Sequence, residues 1–249
     1  MATPLIANEK FKKQDGTKAA DAAAYRSIIG SLLYLAVTWP DIMFATSLLS
    51  RFMQSPSQIH FGAAKRVLRY IQGTKDFGIW YKSCAQSTMT GFTDSDWAGS
   101  VDDMRSTSGH CFNLGTSVFS WGSKKQNSVA QSTAEAEYVA AAGAANQAIW
   151  LSKILEDMGA KQQLPVVIYC DNKSAIAMAK NPVFHSRTKH IAIKYHYLRE
   201  VEAKGDIELK FCRSEEQVAD IFTKALPRDK FQMLRLKLGV SEKLIKEEY

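Results

Sequence analysis

The run TMTGFTDSDWAG, residues 88–99, decides the fold. Before it, apolar residues recur with helical spacing; from Met89 the period changes to that of a strand. Inside this strand-like segment sits an acid, Asp94, between Phe92 and Trp97. Downstream, GHCFNLG (109–115) and TSVFSWGS (116–123) are two short β-prone runs around Gly115, a hairpin signal. A long helix is expected from about Thr133 to Met158, where Ala140, Ala141, Ala144 and Ala145 imply close packing against a sheet. LPVVIYC (164–170) is a continuous apolar run of the buried-strand kind. NKSAIAMAK (172–180) reads as a brief helix ended by Asn181 and Pro182, HIAIKYHYLREVEAKG (190–205) as a further helix and DIELKFC (206–212) as a strand. SEEQVADIFTKAL (214–226) reads as a helix capped by Ser214. Three antiparallel-type strands, then strands alternating with helices, predict an α/β fold: one mixed sheet with helices packed on it.

Upstream, residues 1–21 lack periodicity and read as a flexible arm. AAAYRSIIGSLLYLAV (22–37) is helical, with Ile28, Leu32, Leu33 and Leu35 on one broad face. Pro40 and Asp41 break it and cap a second helix, DIMFATSLLSRFM (41–53). IHFGAAKRVLRYIQG (59–73) is a third, with Val67, Leu68 and Ile71 inward, Lys65, Arg66 and Arg69 off that stripe, and Gly73 closing it. The expected organisation is an arm (1–21), a small helical unit (22–87) joined near Tyr81–Ser87 to a sheet domain (88–227), and a helical tail (228–249).

Composition narrows the function classes. At 249 residues and 46% apolar, the chain can bury a core without staples. Cys84, Cys111, Cys170 and Cys212 are scattered singly, which reads as reduced thiols rather than a disulfide frame or zinc site. The N-terminus is polar and unlike a signal peptide, and the apolar runs are too short to span a bilayer, so an intracellular, cytoplasmic protein without membrane contact is expected. The net charge is +7, unevenly placed: residues 1–88 hold 11 Lys or Arg against 5 Asp or Glu, the rest 21 against 20. The front carries the long-range pull on a polyanion, while the remainder is nearly neutral and holds most of the carboxylates. His60, His110, His185, His190 and His196 repeat no metal-ligand spacing.

Four carboxylates fall at informative places. Asp94 lies in the first strand, Glu137 early in the long helix, Asp171 directly after the buried strand, and Asp220 within the last expected helix. Ligands in such sheets gather beyond the carboxyl ends of strands, so the four could converge. Converging carboxylates repel one another unless cations compensate, and hard divalent ions prefer all-oxygen shells. Each also has a plainer reading: TDSD as a turn, Glu135 or Glu137 as a solvated helix position, Asp171 as a helix cap, Asp220 as a surface partner of Lys224.

At these residues the sequence also resembles a family, the C-terminal part of the polyprotein of copia-type long-terminal-repeat retrotransposons, the plant ones above all. The matching strings are YRSIIGSLLYL, DIMFATSLLSRFMQSPSQIHFGAAKRVLRYIQGTKDFGIWY, GFTDSDWAGSVDDMRSTSG, SWGSKKQNSVAQSTAEAEYVA, YCDNKSAI, HSRTKHI and EEQVADIFTKALP, covering nearly everything from Tyr25 to Pro227. The resemblance implies a ribonuclease H fold with a five-stranded mixed sheet, behind the helical end of a reverse transcriptase. It implies a metal-dependent endonuclease that cuts the RNA strand of an RNA–DNA hybrid, leaving 5′-phosphate and 3′-hydroxyl ends, with two magnesium ions (manganese as an alternative) on Asp94, Glu137, Asp171 and Asp220. Glu137 is preferred to Glu135 because AEY corresponds to the AEL of related ribonucleases H.

Some departures stand out. No histidine lies between His196 and Asp220, where many ribonucleases H carry a mobile one, and Arg213 is there instead; Trp39 and Ala192 replace an arginine and an aspartate usual in the family. No YVDD-type polymerase motif occurs, so DNA synthesis by this chain is not expected. The first residue, Met1, reads as an internal methionine or an added start.

From their positions beside the ligands, Ser95, Gln131 and Asn172 are candidates to read the RNA 2′-hydroxyl. Lys173 is placed near a phosphate, and Lys124 and Lys125, with Trp121, are candidates to grip the DNA strand, although Trp121 reads equally as core. Lys65, Arg66 and Arg69 are candidates for extended duplex contact. The expected partners are an RNA–DNA hybrid and the polymerase part of a reverse transcriptase. A competing reading is a catalytically silent module of the same fold that binds hybrid or serves a structural role. An integrase or exonuclease of the same broad fold is a further rival, which the DNKSAI and FTKALP contexts disfavour.

Overall fold

A computed structural model describes residues 1–82, 88–180 and 192–242. Five strands form the central sheet: β2 (Met89–Ser95), β3 (Thr107–Leu114), β4 (Ser117–Lys125), β5 (Val166–Cys170) and β6 (Ile207–Phe211), in the order β4-β3-β2-β5-β6. The first three pair antiparallel through short connections, and Gly115 turns the β3–β4 hairpin with φ +66°. β5 and β6 pair parallel to their neighbours, as strands reached through helical crossovers must. The intervening helices are α4 (Thr133–Asp157), α5 (Lys173–Lys180) and α6 (Ala192–Ala203). The mixed five-stranded sheet matches the ribonuclease H-like architecture expected; the helix end at Asn181 and Pro182, the HSRTKHI string and Cys84 lie outside the described residues.

Strand alternation gives the sheet two buried faces, so adjacent Cys111 and Phe112 enter different cores. On one face α4 lays Ala141, Ala144, Ala145 and Ala148 against Met89, Phe112, Val166 and Ile168. Alanine there lets a 25-residue helix approach the strands closely. The other face is covered by α1 (Ala22–Leu35), α2 (Met43–Ser50) and α3 (Gln58–Gln72), with α7 (Arg228–Lys237). Their core joins Tyr25, Ile29, Leu32, Leu49, Val67 and Tyr70 to Cys111 and Val118 of the sheet and to Phe222 and Leu234. The helical unit is therefore the second cover of the sheet. A short pair, β1 (Phe77–Ile79) with β7 (Val240–Glu242), and the buried chain Asp41–Tyr70–Arg235 bind it to the C-terminal segment.

Several local expectations change. Leu33 and Leu68 are exposed; the inward positions are Tyr25, Ile29 and Leu32 of α1 and Ala63, Ala64, Val67 and Tyr70 of α3, because covering a sheet and two helices at once rotates the buried stripe. Asp41 does not cap α2: it sits in a 3-10 turn (Pro40–Ile42) with its carboxylate accepting from the Tyr70 hydroxyl. Residues 1–21 lie against the body where a loose arm was expected. Leu5 and Phe11 are buried, Lys13 N donates to Asp102 and Ala19 bridges Ser57. The tail is helical only through Lys237, since Gly239 (φ +83°) turns it into β7. Among the described residues, no helix is long and apolar enough to cross a membrane.

Candidate active site

The β2 strand delivers Asp94 to the face shared with the helical unit, directly across from Gly109 of β3. That glycine is needed. A Cβ there would lie 2.7 Å from Thr223 Cγ2 and 2.8 Å from Phe222 Cβ, in the segment carrying Asp220. This segment is a 3-10 turn, Val218–Phe222, and the helix expected over 214–226 does not form. Val218, Ala219, Ile221 and Phe222 are all buried, so no polar face remains for a regular amphipathic helix. Gln217 clips the turn to the sheet: its Oε1 accepts from Ala219 N and its Nε2 donates to Thr93 O at 2.9 Å. Ser214, expected as a cap, instead donates its hydroxyl to Asp171 Oδ2 at 2.9 Å.

Glu137 enters from the second turn of α4, whose start Ser132 caps by accepting from Glu135 N. Its Oε1 accepts from Ser95 N at 3.1 Å, which fixes it at the end of β2. Asp171 follows β5 directly. Oxygens of Glu137 and Asp171 and the sulfur of Cys170 all lie within 4.8 Å of one another. Asp94 and Asp220 lie outside that group and are held by lysines. Lys224 Nζ is 3.3 Å from Asp94 and 2.7 Å from Asp220 Oδ1, and Lys230 pairs with Asp220 Oδ2. Thr223 donates its hydroxyl to Asp94. Asp220 and Lys224 thus form the anticipated pair, but Asp220 is buried, so this is no surface contact.

Electrostatics follow from this crowding. Burial pushes the Asp94 carboxyl up to about 6, Lys224 opposing and Asp220 and Asp171 adding. Burial and then the charges of Asp94 and Asp171 push Glu137 up to about 10. Burial works against the Lys224 ammonium, yet Asp94 and Asp220 outweigh it and raise its pKa. The Cys170 thiol is raised, by burial first and then by Glu137, so it stays protonated beside the carboxylates. The carboxylate oxygens of Glu137 and Asp171, beside the Cys170 sulfur, form a candidate metal-binding group.

The other candidates are placed as follows. The Ser95 hydroxyl donates to backbone oxygens of Asp96 and Thr107 and accepts from Gln126, so its contribution to the site is the backbone N–H on Glu137. Asn172 Oδ1 accepts from Ala175 N inside α5, and Gln131 is exposed with its backbone N–H on Glu135. Lys173 lies 4.8 Å over the Phe211 ring. Lys124 is exposed at the end of β4, and Lys125 pairs with Asp103 at 2.7 Å. On α3, Lys65 lies over Phe61, Arg66 donates to Thr3 and Arg69 is exposed in the last turn. Trp121 belongs to the packing: its Nε1 donates to Ala36 O at 3.0 Å. Lys230, Thr223, Ser214 and Cys170 were not singled out by sequence. The only local signal was the four-residue spacing of Asp220 and Lys224.

Three antiparallel strands followed by two parallel ones, with an acid in the first strand of the sheet, one after the fourth and one on the longest helix, define a ribonuclease H-like domain. No family model matches the chain. It is 42% identical over 240 residues to the retrovirus-related Pol polyprotein from transposon RE2 of Arabidopsis thaliana, covering 96% of this chain and 16% of that protein. With the corresponding polyprotein from transposon TNT 1-94 of Nicotiana tabacum it shares 36% over 247 residues, 96% of this chain and 18% of the other. Among solved structures, a ribonuclease H1 isolated from compost shares 12% identity, covers 55% of this chain and 94% of its own, and gives a TM-score of 0.43. The chain is a ribonuclease H-like domain closely related to the copia-type Pol polyproteins of plant long-terminal-repeat retrotransposons. It spans about a sixth of the length of these curated relatives.

Proposed function

We propose that this chain is a metal-dependent endonuclease that hydrolyses the RNA strand of an RNA–DNA hybrid. One observation supports the reading: Glu137 and Asp171 share one group, Asp94 and Asp220 share Lys224 beside it, and crowding and burial hold Asp94 and Glu137 above their ordinary pKa. Such a cluster costs stability unless something binds there. Asp94, Glu137, Asp171 and Asp220 would hold two magnesium ions, with manganese as substitute. When bound, such ions supply an activated water and neutralise charge on the departing oxygen. The chain's own residues do the positioning. Ser95 N–H fixes Glu137, Thr223 fixes Asp94 and Ser214 fixes Asp171. Lys124, Lys125 and Lys173 would hold backbone phosphates, and Lys65, Arg66 and Arg69 would extend the duplex contact. Cleavage is expected to leave 5′-phosphate and 3′-hydroxyl ends, and the polymerase part of a reverse transcriptase is the expected protein partner.

A second reading has its own support. Lys224 and Lys230 already neutralise Asp220, and Lys224 also Asp94, as in a module that binds hybrid or serves structure without cutting. A labelled RNA–DNA hybrid incubated with magnesium, with excess EDTA, and with the Asp171→Asn variant separates the two. Magnesium-dependent cutting of the RNA strand alone, lost in the variant, is the expected result. Hybrid bound but uncut by folded protein overturns the nuclease reading in favour of the silent module.

A further inference from the structure

A cleft of about 270 Å³ opens beside the carboxylates, between residues 8–13, α2 and the loop that joins β2 to β3. Thr223 and Lys224 line it and also bond Asp94, so they stand between the cleft and the acid centre. Most of its wall comes from outside the ribonuclease H-like sheet. Lys10 and Lys13 come from the N-terminal segment, and Arg51 follows α2 and reaches across with Nη2 donating to Thr107 Oγ1 at 3.0 Å. Lys125 and Lys224 also line it, but they are paired with Asp103 and with Asp94 and Asp220, which leaves Lys10, Lys13 and Arg51 as the cations for a ligand. Glu9, Asp96 and Asp102 share the lining. Asp102 accepts the Lys13 backbone N–H at 3.1 Å, and Asp96 accepts that of Thr107. At the edge stands Trp97, 53% exposed, its indole oriented by Nε1 donating to Ala130 O at 3.2 Å.

A cleft that offers Lys10, Lys13 and Arg51, with an exposed indole at its edge, has the chemistry that holds a nucleic-acid backbone and packs on its sugars. Its volume lies at the small end of ligand sites, which suits one sugar-phosphate unit. We propose that it is a phosphodiester subsite. Lys10, Lys13 and Arg51 take the RNA strand's backbone within a few nucleotides of the phosphate held at the carboxylates, and Trp97 packs against a sugar. The proposal rests on the nuclease reading for the strand's path, and it gives the N-terminal segment a part in substrate binding.

The test measures binding of a labelled RNA–DNA hybrid by anisotropy, with calcium in place of magnesium. Single RNA phosphates are neutralised in turn as methylphosphonates. Wild type is compared with Lys10→Ala/Lys13→Ala, both exposed and safe for folding, and with Arg51→Ala. In wild type, one or two adjacent methylphosphonates should weaken binding about tenfold, and the same substitutions should cost nothing further in the variants. The slope of log affinity against log salt should fall by about 2 in the double variant, one released counterion per lysine. Equal sensitivity at every position in wild type and variants, or unchanged affinity and slope, overturns the subsite. Cleavage assayed in parallel keeps the ideas apart: coupling without cleavage supports the subsite and removes the nuclease reading, while cleavage without coupling removes the subsite alone.

Discussion

Raising the pH of the metal-free protein from 6.5 to 8.0 should destabilise it, and magnesium should reverse the loss. The Glu137 carboxyl is pushed up to about 10 in the fold, from an ordinary 4.5, by burial and then by Asp94 and Asp171. Between those values the folded chain keeps a proton that the unfolded chain has shed, so stability falls as pH rises, by about 1.4 kcal/mol per pH unit. Over this window the loss is about 2 kcal/mol, or ~4–8 °C in melting temperature for a domain of this size. Burial also raises the Asp41 and Asp96 carboxyls, so the Glu137→Gln comparison assigns the slope within this window. Asp94, raised to about 6, is mostly ionised by its lower edge. His60 and His110, both lowered by burial, work against this loss, since the unfolded imidazoles shed their protons near pH 6.5 and the folded ones carry none to shed. The buried thiols Cys111, Cys170 and Cys212, raised by burial, add a similar slope only near the ordinary thiol pKa of about 8.5.

A divalent ion binds the deprotonated cluster, so the melting increment from 10 mM magnesium, on the order of a working concentration for such sites, should grow across the same window. Differential scanning fluorimetry at fixed ionic strength, with EDTA or magnesium, reads both effects. Glu137→Gln is nearly isosteric and should flatten the metal-free slope and shrink the magnesium increment. A metal-free melting temperature that stays level from pH 6.5 to 8.0, in a protein that magnesium does not stabilise, would refute the argument that Glu137 is held protonated by crowding.

Three other perturbations follow from named contacts. Lys224→Met leaves Asp94 and Asp220 without their shared cation. The metal-free protein should lose about 1–3 kcal/mol by urea titration, a figure discounted for the partial exposure of the lysine, and magnesium should recover most of it. Gly109→Ala forces a methyl against Thr223 and Phe222; it should cost about 1–3 kcal/mol and lower magnesium affinity by calorimetry, because the Asp220 turn must lift from the sheet. Tyr70→Phe removes the hydroxyl joining Asp41 to Arg235, and the buried Asp41 carboxylate left behind should cost about 1–3 kcal/mol in the same titration, with hybrid binding unchanged.

What the sequence made legible divides along the distance between interacting residues. The strands of the sheet and α4 show because their signals are local: alternation from Met89, a glycine turn at Gly115, and alanines spaced to meet a sheet. Asp94, Glu137 and Asp171 could be assigned to their strand, helix and strand end from local pattern, while Asp220 falls in a segment whose form was not legible. The Val218–Phe222 turn was misread because its apolar residues count toward a helical period, while burial on every side allows only one turn. Leu68 was misread because α3 must satisfy two neighbours at once.

The cations around the acids illustrate the harder case. Lys224 shows as a four-residue spacing from Asp220, but spacing carries no information about burial, and the same spacing on an exposed helix contributes a few tenths of a kcal/mol. Lys230 lies ten residues beyond Asp220 and Ser214 lies 43 beyond Asp171, so neither has a local signature. Arg235 meets Tyr70 across 165 residues. These contacts exist only because the helical unit and α7 close over one face of the sheet and exclude water there. Burial raises the cost of the carboxylates and strengthens their lysine partners together. The local chemistry of the site is therefore written in a few short motifs, while the charge balance that lets it fold belongs to the whole chain.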